Sequence, residues 1–248
     1  MYMKKILLTV LTIALVSAAF AQEAPATTKK PKKDFSKIID RPGDHIVLQM
    51  SSDHWAGAPD SISSRMGGLP RGGNIYIMLD KPFKSNPQLS VGFGLGVSTS
   101  SIYFKKTFVN IAAGTAKLPF TNLDSSDHFK KFKLSTAYLE IPVELRFTND
   151  PTQYKNTFKA AIGIKVGTLL NAHTKGKTLQ NKNDGTINSF TSKETSKQYF
   201  NSTRLAVTAR VGWGLFSLFG SYQVNNMFKD GVAPDIKPYQ IGLSISGL

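Results

Sequence analysis

The chain contains no cysteine, which excludes a disulfide framework and thiolate metal ligation. Acidic residues are scarce: 16 Asp and Glu stand against 31 Lys and Arg, for a formal net charge of +15. Beyond residue 22 there is also no apolar run near the ~20 residues that a spanning helix requires, so a helical membrane span is not expected. The apolar residues that remain are spread through segments of strict alternation, as in the strands of outer-membrane barrels.

The N-terminus is the exception. Lys4 and Lys5 precede an apolar stretch from Ile6 to Val16, and Ala19-Phe20-Ala21 has the A-x-A form of a cleavage site. Residues 1–21 therefore read as a cleavable export signal. Residues 22–44 are rich in Ala, Thr, Pro and Lys and include Lys29-Lys30-Pro31-Lys32-Lys33. That composition cannot bury a core and reads as a flexible basic periplasmic leader. An export signal argues against nucleic acid as the partner of the basic excess. It favours outer-membrane lipid and anionic lipopolysaccharide.

Residues 45–248 carry the fold. Eight strands are expected: about His45–Trp55, Arg71–Phe83, a third starting at Leu89, Phe132–Thr148, Phe158–Thr174, Thr203–Trp213, Gly214–Phe228 and Pro238–Ser246. The third is the clearest: Leu89, Val91, Phe93, Leu95 and Val97 alternate with Ser90, Gly92, Gly94, Gly96 and Ser98. Period two places all the apolar side chains on one face and all the small ones on the other. Connections after the odd strands are long and those after the even strands are short. Outer-membrane barrels sort their loops in this way, with short periplasmic turns and long outside loops. The expectation is an all-β protein, an eight-stranded antiparallel transmembrane β-barrel with both termini periplasmic.

In such a barrel the apolar faces meet lipid and the polar faces fill the lumen. The inward set then includes Glu140, Glu144, Arg146, Lys165, Arg204, Arg210, Gln223 and Gln240. Eight strands enclose only enough space for their own side chains, and buried charges must be paired. A structural lumen cluster is therefore expected, with Glu140 and Glu144 neutralised by Arg146, Lys165 and Arg210. Phe83, Phe147, Phe158, Trp213 and Phe216 would form one aromatic girdle, with Tyr103 and Tyr239 in the other.

The segment Tyr138-Leu139-Glu140-Ile141-Pro142-Val143-Glu144-Leu145-Arg146-Phe147 resembles a signature of the Bacteroidota outer-membrane β-barrel family, which includes PorT-like and other small porin-family barrels. The resemblance implies a barrel over residues 45–248 and, through its PorT-like members, a link to type IX protein secretion and to envelope or secretion-system partners. Pro142, lacking a backbone donor, should mark a break in the ladder or a bulge. The chain ends Ile245-Ser246-Gly247-Leu248, without the terminal aromatic of many such barrels.

Catalytic patterns are weak. Ser52-Asp53-His54 and Ser126-Asp127-His128 are triad-like only in sequence, whereas triads are defined by convergence in space. The glycine-rich stretch from Gly67 to Gly73 precedes a strand and lacks the P-loop lysine pattern. No catalytic residue, cofactor or metal site is expected. Two functions remain: a non-enzymatic anchor or scaffold in the outer membrane, PorT-like in supporting secretion, or a narrow porin-like conduit for small solutes. The filled lumen favours the first.

Overall fold

A computed structural model of the chain describes residues 45–67, 71–153 and 155–247. The export signal and the basic leader lie outside the described residues. Among the described residues eleven strands form: β1 (Ile46–Ala56), β2 (Arg71–Pro82), β3 (Leu89–Phe104), β4 (Thr107–Val109), β5 (Phe120–Asn122), β6 (His128–Thr148), β7 (Phe158–Gln180), β8 (Thr186–Thr195), β9 (Thr203–Trp213), β10 (Phe216–Gln223) and β11 (Lys237–Ser246). One helical turn, α1 (Asp60–Ser63), lies between β1 and β2.

Eight of these strands close a ring. The antiparallel neighbours run β1-β2-β3-β6-β7-β9-β10-β11, and β11 returns to β1 through Val47 opposite Ser246 and Ala56 opposite Lys237. The eight-stranded barrel read from the alternation is thus the observed fold. The loop lengths sort as expected. Residues 83–88, 149–157 and 214–215 connect strands at one end of the ring, and residues 57–70, 105–127, 181–202 and 224–236 at the other.

Several strands depart from their sequence-based bounds. β6 begins at His128, not near Phe132, and β7 continues to Gln180 instead of stopping at Thr174. The long connection expected after Thr174 is therefore largely a β-ribbon, with β8 paired to the far half of β7. Charged residues are no obstacle to a strand that stands in water, which is why polarity alone misplaced this boundary. β10 ends at Gln223, because residues 224–236 turn inward to pack around Met227 and Phe228 instead of continuing the ladder.

Alternation holds around the ring. Ile77, Phe93, Leu95, Ile141, Val143, Ile162, Ile164, Val207, Leu218 and Leu243 are exposed on the outer wall, while Ser90, Ser98, Glu140, Glu144, Lys165, Arg204 and Gln240 are buried inside. Phe83, Phe158, Trp213 and Phe216 stand exposed at the short-turn end, where a girdle belongs. Pro142 interrupts pairing on one side only. The β3–β6 ladder passes from Phe93 opposite Val143 to Gly96 opposite Glu140 without a shift of register, whereas the β6–β7 ladder continues through Pro142 opposite Lys165. The bulge falls elsewhere, between Ala137 and Tyr138, where β7 carries the extra residue Leu170.

Ile141 and Ile187 test the outer wall. Both are about equally exposed, at 54% and 52%, but Ile141 lies in the apolar belt and Ile187 on the projecting ribbon. Ile141→Arg should cost roughly 2–4 kcal/mol of folding free energy in lipid, and Ile187→Arg close to nothing. Urea unfolding in lipid vesicles measures both, and equal costs would refute the belt.

Candidate functional site

Two layers fill the inside of the barrel. The first is a lattice of paired charges in the half toward the short turns. Among the described residues, four carboxylates, Asp53, Asp80, Glu140 and Glu144, share this space with five cations, Arg146, Lys159, Lys165, Arg204 and Arg210. Glu144 Oε2 accepts from Arg146 Nε at 3.0 Å and from Arg210 Nη2 at 3.2 Å. Arg146 Nη1 lies 3.4 Å from Asp80 Oδ1, which also accepts from Ser90 Oγ at 2.7 Å. Arg210 Nη1 donates to Ser246 Oγ at 3.2 Å. One carboxylate thereby ties β6 and β9 together, and its two arginines reach β2 and β11.

Glu140 is the centre of the other half of the lattice. Arg204 Nη1 lies 2.9 Å from its Oε1, and Tyr76 Oη donates to its Oε2 at 2.6 Å. Lys165 Nζ donates to Tyr76 Oη at 3.2 Å and sits 5.0 Å from the Tyr76 ring centroid. From Arg204 the contacts run on through Ser98, Asn74, Gln49 and Gln240 to Asp53, with donor–acceptor distances of 2.8–3.4 Å. Arg204 also lies 5.2 Å from the centroid of Tyr138.

All five residues singled out in the sequence, Glu140, Glu144, Arg146, Lys165 and Arg210, are buried in this lattice. The partners differ in detail. Arg204, placed inward but left out of the expected cluster, is the cation on Glu140, and Lys165 reaches Glu140 through the Tyr76 hydroxyl. Asp53, Asp80 and Tyr76 were missed altogether. Their signal was parity: Asp80 and Tyr76 share a face with Asn74, opposite the apolar Ile75, Ile77 and Leu79. Inward glycines make the space. A Cβ at Gly92 would strike the Arg146 guanidinium, and one at Gly163 would strike Glu144.

The second layer is apolar and closes the long-loop end. Trp55, Ile102, Phe104, Phe132 and Leu134 point inward from the strands and meet Ile62, Val109, Ile111, Leu118, Phe200, Met227, Phe228 and Ile236 from the loops. Phe200 and Phe228 have ring centroids 5.1 Å apart, and Trp55 packs at 5.6 Å from Phe104. Polar contacts fix the loops to one another. Arg65 makes a two-pronged pair with Asp124 at 2.9 and 2.6 Å. Tyr199 Oη donates to the carbonyls of Ala113 and Thr115. Asn201 Nδ2 donates to the carbonyls of Asn226 and Phe228. At the junction of the two layers a void of about 10 Å³ remains, beside Trp55, Tyr138, Arg204 and Gln240. That is room for about one water molecule.

The triad-like segments do not form triads. Ser52 Oγ and His54 Nε2 are 3.0 Å apart at the outer wall, where His54 stacks on Tyr239, but Asp53 points into the lumen. His128 Nε2 meets Asp184 Oδ1 at 3.0 Å, and Asp127 takes no part. This hydrogen bond, with Lys106 adding a further contact and its charge, holds the Asp184 carboxyl below the usual aspartate range. It fastens the tip of the β7–β8 ribbon to the base of β6. Among the described residues, no three of His, Cys, Asp and Glu gather as metal ligands.

The family model described as an outer membrane protein beta-barrel domain matches residues 58–229. The chain belongs to that family and is an outer-membrane β-barrel protein. Solved structures similar to it include two of one protein. Ail, the attachment invasion locus protein of Yersinia pestis, is 12% identical over 81% of this chain and 95% of that one, with a TM-score of 0.31. Ail in complex with the heparin analogue sucrose octasulfate is 13% identical over the same shares, with a TM-score of 0.28. No curated protein matches the chain.

Arg204→Met leaves Glu140 buried without its cation and should cost ~3–5 kcal/mol. Adding Glu140→Gln should recover much of that loss, because the two positions are coupled. Urea unfolding of both single variants and the double variant in lipid vesicles measures the coupling. Simple additivity would mean that the pair is not a unit.

Proposed function

We propose that this protein is a non-enzymatic outer-membrane scaffold, in which a filled barrel anchors a folded cap and its projecting ribbon at the cell surface. The observation that carries this reading is the double closure of the bore, by the charge lattice in one half and by the aromatic cluster at the mouth. A solute would have to break several buried ion pairs and then displace an apolar core, so the narrow conduit is the weaker reading. The sorting of loop lengths supports an orientation with the long-loop end outside and both ends of the chain in the periplasm.

The absence of cysteine allows a direct test of this orientation. Ser189→Cys on the ribbon and Ser85→Cys in a short turn each introduce a single thiol at an exposed site. A membrane-impermeant maleimide added to intact cells should label the first and spare the second. In planar bilayers the purified protein should give no steady channels. Nanosiemens openings would replace the scaffold by a pore.

The likeness of residues 138–147 to PorT-like barrels supports a finer reading, in which the scaffold serves protein secretion through envelope partners. A deletion strain should then deliver fewer proteins to its surface, and unchanged surface and secreted fractions would remove that role.

A further inference from the structure

The projecting ribbon carries a charge arrangement that the scaffold reading does not explain. Lys133 on β6, Lys175 on β7 and Lys193 on β8 stand directly opposite one another across three adjacent strands, with Tyr103 of β3 opposite Lys133. One step further out, Lys131 stands opposite Lys177. Like charges directly opposed on a sheet repel and destabilise it. Among the described residues, none of these five lysines forms an ion pair with a carboxylate. Lys133 is held instead by Ser101 Oγ at 3.3 Å and by the Tyr103 ring, 5.8 Å from its centroid. Tyr103, Lys131, Lys133, Lys175 and Lys177 line an open concavity of about 250 Å³. The crowding is felt by the groups themselves. Partial burial first, and then the charges of Lys177 and Arg71, pull the Lys133 ammonium below the usual lysine range, and His173 beside it is lowered by burial and by three of the lysines.

The height of this patch selects its ligand. On β6 the apolar outer wall runs from Phe147 up to Leu139, and Lys133 lies three outward positions beyond it. With ~3.3 Å per residue and a tilt of about 40°, the belt spans roughly 20 Å and Lys133 stands roughly 15 Å above its upper edge. The lysines are therefore above the hydrocarbon and at the level of lipid headgroups and the sugars attached to them. They face sideways along the membrane, not up into the medium.

We propose that this lysine lattice is a binding site for the phosphate groups of lipopolysaccharide in the membrane around the barrel. The inference rests on the outward orientation given above. Lysine binds phosphate as a compact point charge with three donors. Four of them around one concavity, with Lys193 on the neighbouring strand, match an anion with several phosphates better than a single free phosphate ion. Bound phosphates would also relieve the repulsion between the opposed strands, so the ligand should stabilise the ribbon that holds it.

The purified full-length protein, refolded in detergent micelles, is titrated with lipopolysaccharide while its thermal unfolding is followed. Lipopolysaccharide should raise the unfolding temperature, because a ligand bound only to the folded state stabilises it, and added salt should weaken the effect. Lys133→Gln combined with Lys175→Gln should weaken binding at least tenfold, and without ligand this variant should be no less stable than the parent. Lys84→Gln with Lys155→Gln, exposed at the short-turn end, should bind like the parent. If the first variant folds poorly, Lys131→Gln with Lys177→Gln on the outermost pair serves in its place. Equal binding by the lattice variant, or by dephosphorylated lipopolysaccharide, overturns the site. The same protection from millimolar inorganic phosphate alone would make it a free-anion site and overturn the lipid assignment. Binding in micelles does not depend on orientation, which the Ser189→Cys labelling reports separately.

Discussion

The pairing of buried charges inside a narrow bore is the constraint on which the rest of this barrel depends. Eight strands enclose a space that their own side chains fill. An ion left without a counter-charge there retains several kcal/mol of desolvation penalty after relaxation. Asp80, Glu140 and Glu144 meet that constraint by direct contact with Arg146, Arg204 and Arg210, while Asp53 and Lys165 join through Gln240 and the Tyr76 hydroxyl. The consequences spread outward from there. The long cations need depth, which the glycines of β3 and β7 supply by lacking a Cβ. The ion pairs cross the lumen, so strands far apart in the chain are held in one register.

The charge lattice extends only part of the way up the bore. Above the level of Tyr138 and Leu169 the inward positions become Phe132, Leu134, Ile102, Phe104 and Trp55. An apolar surface facing inward at an open mouth would be costly in water, so the loops descend on it. Leu118, Phe200, Met227, Phe228 and Ile236 cover it. Burial of large apolar side chains contributes about 1.5–3 kcal/mol each, enough to order connections that their composition alone would leave free. The cap and the charge lattice are thus two answers to one problem, how to fill a narrow cylinder. Their meeting at Tyr138 explains the placing of that ring: one face lies against the apolar layer and the other near the Arg204 guanidinium.

The barrel and its inward charges were legible because both follow from parity. A strand with period two declares its faces, and a face that reads Glu140, Pro142, Glu144, Arg146 can only be a lumen face once Leu139, Ile141, Val143 and Leu145 are given to lipid. The cap was not legible, since its residues lie in loops without period, and nothing in Phe200 or Ile236 says which distant segment it will meet. The pairing of cations with carboxylates was only partly legible. Parity places Arg204 and Lys165 inside together, but which one reaches Glu140 depends on strand neighbours across the ring, and Arg204 on β9 reaches it where Lys165 stops at the Tyr76 hydroxyl.

The bulge at Leu170 shows most directly how a single residue can hide a surface from sequence reading. Along β7 the odd positions Lys165, Gly167 and Leu169 point inward. Continued without interruption, that phase would send Asn171, His173, Lys175 and Lys177 into the bore. The extra residue reverses it, so that Ala172, Thr174 and Gly176 turn in and the lysines turn out. The reversal is required by the layer it borders. Above Leu169 the bore is apolar and closed by aromatic rings. Ala172, opposite Thr136, and Gly176, with no Cβ to strike the Phe129 ring, take those places instead. The same shift that protects the cap from buried charge therefore assembles the outward lysine rows, and the inner packing and the outer charge pattern of the ribbon are one feature seen from its two faces.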